Sequence, residues 1–63
     1  MTTKQIDKLL GHEIKVRWPA YNQTDTLTPI LRRKGTRVIE ARVKSTGRTG
    51  VFNVSEMELV EVI

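Results

Sequence analysis

Apolar positions at the start of the chain recur with a helical period. Ile6, Leu9 and Leu10 fall at i, i+3 and i+4, one face of a helix. Thr2 precedes them and Gln5 stands three residues after it, the spacing of a reciprocal capping box. Gly11 sits where a left-handed C-terminal cap is needed. The spacing predicts a helix over residues 3–10. So short a helix does not stand alone in water, so its apolar face must cover another element.

From Glu13 the period shortens to two. Ile14, Val16 and Trp18 alternate with Glu13, Lys15 and Arg17, which predicts a strand ended by Pro19. Ala20 to Thr28 is polar and rich in turn formers, and predicts a long loop up to Pro29, a candidate functional loop. Ile30-Leu31-Arg32 reads as a short strand closed by a hairpin turn at Arg33-Lys34-Gly35. Thr36 to Lys44 is the strongest strand signal: Ile39, Ala41 and Val43 share one face, and Val38, Glu40, Arg42 and Lys44 the other. Ser45 to Gly50 is turn chemistry. Val51–Val54 predicts a further strand, Ser55-Glu56-Met57 a turn or single helical turn, and Glu58–Ile63 a last strand.

One short helix and four or five short strands imply a mainly β fold, a small antiparallel barrel or strongly bent sheet. A flat sheet of this size would expose an edge and half its apolar residues. Parallel topologies are excluded because no segment is long enough for a crossover. The order of elements resembles the SH3-like small β-barrel over residues 12–63: a first strand (Glu13 to Trp18), a long polar loop (Pro19 to Pro29), a strand pair with a tight turn, then a glycine-led strand. The close of such domains is similar to Gly50-Val51-Phe52-Asn53-Val54-Ser55-Glu56-Met57-Glu58-Leu59-Val60 here. The resemblance implies that a single helical turn follows the glycine-led strand and that a short strand then returns to pair with the first. Proline-peptide-binding members carry a Gly-Trp pair on that strand and an aromatic-rich groove. Val51 stands in place of that Trp, so the resemblance implies a fold and not proline-rich peptide recognition.

Size and charge narrow the function. Sixty-three residues allow one domain, 1–63. Without cysteine, neither disulfides nor thiolate metal sites supplement the core, so packing, oligomerisation or a bound partner must. No stretch has the length of a membrane span and the N-terminus lacks a signal-peptide core, so a soluble cytoplasmic protein with no membrane partner is expected. A chain that starts at Met and ends at residue 63 fits a complete short gene product, common among phages, plasmids and ribosomal assemblies. The net charge is +4, but unevenly spread. Residues 1–50 hold all eleven Lys and Arg against four acids, a balance of +7; residues 51–63 hold Glu56, Glu58 and Glu61 with no base, a balance of −3. The basic part favours a polyanion partner.

Candidate chemistry follows from that charge. Arg32, Arg33, Lys34 and Arg37 cluster at a hairpin turn, where cations reach successive phosphates and Arg pairs bidentately with phosphate oxygens. Arg42, Lys44 and Arg48 extend the basic surface, and Tyr21 is a candidate for stacking on a base. Lys15 and Arg17 lie on an outward strand face where charge is expected anyway. Trp18 and Phe52 are expected in the core. His12 is the only histidine, so no metal pair exists; no carboxylate pair, nucleophile elbow or phosphate-binding loop is present, so neither an enzyme nor a cofactor or metal site is expected. Two readings remain. The first is a nucleic-acid-binding domain, for DNA or RNA, with little base specificity. The second is a protein-interaction module or small regulator, such as a phage-encoded inhibitor of a host protein, that docks on an acidic surface or forms a homo-oligomer.

Overall fold

The computed structural model describes all residues from Met1 to Ile63. Helix α1 spans Thr3–Leu9 and begins with the expected capping box: Thr2 Oγ1 accepts from Gln5 N at 3.1 Å, and Thr2 N donates to Gln5 Oε1 at 2.9 Å. Gly11 then turns the chain with φ of +83°, a conformation that favours glycine. Ile6 is the only fully buried residue of α1, and Leu9 packs beside the core.

Five strands follow: β1 (Ile14–Trp18), β2 (Gln23–Arg32), β3 (Val38–Val43), β4 (Thr49–Asn53) and β5 (Glu58–Val62). They form one antiparallel sheet in the order β4-β3-β2-β1-β5. Hairpin neighbours pair along β1 to β4, and a 3₁₀ turn at Val54–Glu56 then returns β5 to lie beside β1. The sheet is not closed, and β4 and β5 are its edges.

The expected loop from Ala20 to Thr28 is corrected. Only Pro19–Tyr21, a 3₁₀ turn, and Asn22, with φ of +48°, separate β1 from β2, which is ten residues long. Thr24, Thr26 and Thr28 are β-branched and well suited to a half-solvated strand, while Leu27 and Pro29 point inward. The first half of β2 pairs with β1 and the second with β3, and a bulge between Pro29 and Leu31 bends it. Pro29 is tolerated because its carbonyl accepts from Gly11 N at 2.7 Å. N and O of one extended residue point the same way, so its missing donor lies on the side that β1 has already vacated.

Bending brings the inner faces together. Ile14 and Val16 of β1, Leu27 of β2, Ile39 and Ala41 of β3, Val54 and Met57 around the second 3₁₀ turn, and Ile6 of α1 form one buried cluster. The cluster is wholly aliphatic apart from the Met57 thioether and contains no buried charged or polar side chain. No helix is long and apolar enough to cross a membrane.

Candidate functional site

The seven cations singled out in the sequence divide into two groups. Arg32, the last residue of β2, is already engaged: Nε and Nη2 donate to Asp7 Oδ1 and Oδ2 at 2.7 and 2.8 Å, and Nη1 donates to Thr36 O at 2.8 Å. Its hydrogen bonds hold the Asp7 carboxyl below the usual carboxylate range, and those same bonds raise the Arg32 pKa. Arg32 therefore clips α1 to the β2–β3 hairpin, and its guanidinium is already engaged within the chain. Arg33 pairs with Glu40 at 3.7 Å and Lys44 with Glu13 at 3.1 Å, both at the surface. Such pairs are weak and exchange readily. Lys34, Arg37, Arg42 and Arg48 have no acidic partner within 4.0 Å.

These four cations lie on β3 or in the turns at its two ends. Lys34 and Arg37 occupy the β2–β3 turn, which Gly35 permits with φ of +75° and which Arg33 N closes by donating to Val38 O at 2.9 Å. Arg42 projects from the outer face of β3, flanked across the sheet by Thr28 and Thr49. Arg48 lies in the β3–β4 turn. The cations thus run from one end of β3 to the other, about 20 Å for six residues at roughly 3.3 Å each. The two acids of β5 lie elsewhere. On β5, Glu61 stands opposite Lys15 and Glu58 opposite Arg17, with Arg17 Nη1 and Glu58 Oε2 3.6 Å apart. Acidic β5 is therefore at one edge of the sheet, while β3, with its cations, lies beside the other.

Two cations were not singled out in the sequence. Lys4 and Lys8 are exposed on α1 and share a helical face with Asp7. The Asp7–Arg32 clip carries that face to the hairpin, so both lysines add to the positive field there. Their i, i+4 spacing is legible in the sequence, but the docking that makes it relevant is not. Arg37 also lines a polar cavity of about 320 Å³ with Thr2, Thr3 and Ser55.

Tyr21 belongs to a different site. It is 72% exposed and shares an open cleft of about 290 Å³ with Trp18 and Phe52. The Trp18 and Phe52 rings lie 5.6 Å apart at 43°. The expectation that these two belong to the core is corrected: both are half-buried and pack beside it, each at the rim of the aliphatic cluster. Gly50 is needed next to them, since a Cβ there would come within 2.8 Å of Phe52 Cζ. Asp25 and Glu56 also wall the cleft, and no Lys or Arg does. Tyr21 is therefore not aligned with the basic strip. Compared with protein-family models, with characterised proteins and with solved structures, the chain matches none.

Proposed function

We propose that the chain is a non-enzymatic, cytoplasmic binding domain that holds nucleic acid through phosphate contacts along β3. The observation that carries this reading is the set of four cations without an acidic partner on β3 and in the turns at its two ends, Lys34, Arg37, Arg42 and Arg48, away from the acidic strand β5. Arg37 adds a cavity with hydroxyl neighbours, a setting in which a phosphate oxygen finds both charge and donors. Contacts of this kind position a polyanion without reading its sequence. The return of β5 to β1 after a 3₁₀ turn supports reading the bent sheet as an open SH3-like barrel.

Four phosphate contacts give a log-log salt slope of about −3.6, roughly a 150-fold loss of affinity between 50 and 200 mM salt. If all seven cations made contacts, the slope would be about −6.3 and the loss roughly 6000-fold. Fluorescence anisotropy with duplex DNA, single-stranded DNA and RNA at the two salt concentrations tests this. The expected result is binding at 50 mM with the shallower slope, abolished by Lys34→Gln, Arg37→Gln, Arg42→Gln and Arg48→Gln together. No binding of any of the three polymers at 50 mM overturns it.

A further inference from the structure

We infer that the cleft between Trp18, Tyr21 and Phe52 is a docking site for a cationic side chain, an arginine or lysine presented by a basic segment of a partner protein. This site stands independently of the basic strip. The chain has one Trp, one Tyr and one Phe, and all three line this cleft while the buried core contains no aromatic ring. Aromatic side chains bury more apolar area than any other, so a small domain that leaves all three half-buried or exposed gives up core stability at this place.

The carboxylates point to the charge of the occupant. Asp7, Glu13, Glu40 and Glu58 are held in ion pairs, and Glu61 stands opposite Lys15. Asp25 and Glu56 are the two acids with no cation across from them, and both wall the aromatic cleft. Asp25 Oδ1 accepts from Thr26 N at 2.8 Å, which orients the carboxylate and leaves Oδ2 without a partner in the protein. A cation between the rings gains from the negative ring faces, for which Trp is the best partner, and from two carboxylates at once. A phosphate approaching the same cleft meets two negative charges and no positive one. The volume, about 290 Å³, is at the small end for ligand sites and suits one long side chain lying along the rings. Phe52, held across Gly50 and against Trp18, gives the cleft a fixed wall before any partner arrives.

The test is amide and indole NMR of the full chain titrated with acetyl-Gly-Gly-Arg-Gly-Gly-amide, with the same peptide carrying neutral citrulline in place of Arg, and with octathymidylate. The expected result is that the Arg peptide moves the Trp18 indole N–H and the amides of Tyr21, Gln23 and Asn53, while the citrulline peptide binds about tenfold more weakly or less. Asp25→Asn with Glu56→Gln should weaken the Arg peptide by about tenfold with an unchanged melting temperature, because Asn keeps the acceptor for Thr26 N. Tyr21→Ala, at an exposed position, should weaken it without unfolding the chain. The proposal is overturned if citrulline binds as tightly as arginine. It is also overturned if octathymidylate moves the cleft signals and the Arg peptide does not, which would assign the rings to base stacking.

Discussion

Ile6→Ala tests whether α1 is part of the core or an appendage. Ile6 is fully buried and is the only residue of α1 in the central cluster. Removing three carbons costs about 2.4 kcal/mol in transfer free energy, at about 0.8 per methylene. A residual cavity of about 50 Å³ would add about 1.2 kcal/mol. The sum, about 3.5 kcal/mol, is large against a total stability of roughly 3–9 kcal/mol for a chain of this length. With a urea m-value of about 1 kcal/mol/M, the midpoint should fall by about 3.5 M, enough to leave the variant near its unfolding transition in water. Equilibrium urea unfolding followed by circular dichroism measures this. Leu9→Ala, at the end of the helix and only half-buried beside the core, should cost about 1 kcal/mol and serves as the reference. A cost for Ile6→Ala below about 1 kcal/mol, with an unchanged m-value, would refute the reasoning and mean that the sheet is stable without its helix.

Three further outcomes are expected. Gly50→Ala should push the Phe52 ring off Trp18, losing an aromatic contact of about 0.5–1.5 kcal/mol, and change the near-ultraviolet dichroism of Trp18; an unchanged spectrum would contradict the contact. Asp7→Asn should lower stability at neutral pH. Because the native Asp7 pKa is depressed, the contribution is present above the unfolded carboxylate value of about 3.9 and is lost as pH falls through the native one. The gap in urea midpoint between parent and variant should thus hold from pH 7 to about 5 and close towards pH 2, and a gap unchanged at pH 2 would count against the clip. Arg32 titrates above the accessible range and adds no slope there. Arg42→Gln with Arg48→Gln should halve the salt slope to about −1.8, whereas Arg32→Gln should leave the slope and lower the melting temperature instead.

Local signals were legible in the sequence wherever one element carried them whole. The capping box, the turn at Gly11, the alternation from Glu13 to Trp18 and the strand around Ile39 and Ala41 each appear in the structure within a residue or two. β2 reads as a loop in the sequence because only Leu27 and Pro29 of its ten residues are fully buried, so its composition is that of a loop. The alternating threonines at 24, 26 and 28 were the signal that could have found it. The site was harder to read. Arg32 meets Asp7 across 25 residues of sequence, and no local pattern separates a committed arginine from a free one. Trp18 and Phe52 occupy inward positions of their strands, which reads as core. Their place at the end of the sheet, where inward residues look into an open cleft, depends on where the neighbouring strands stop.

The return of β5 to β1 has a kinetic side. Every other pairing joins consecutive strands, as when Ile14 meets Leu27 across the first hairpin, but Ile14 also pairs with Val62 near the opposite end of the chain. Closing a segment of about fifty residues, and not about thirteen, adds roughly 1.2 kcal/mol of chain entropy before any contact repays it. Val54 and Met57, which complete the buried cluster, lie just ahead of that seam. The meander can therefore assemble hairpin by hairpin, whereas the pairing of β5 with β1, which brings the two ends of the polypeptide together, carries the largest closing entropy in the sheet.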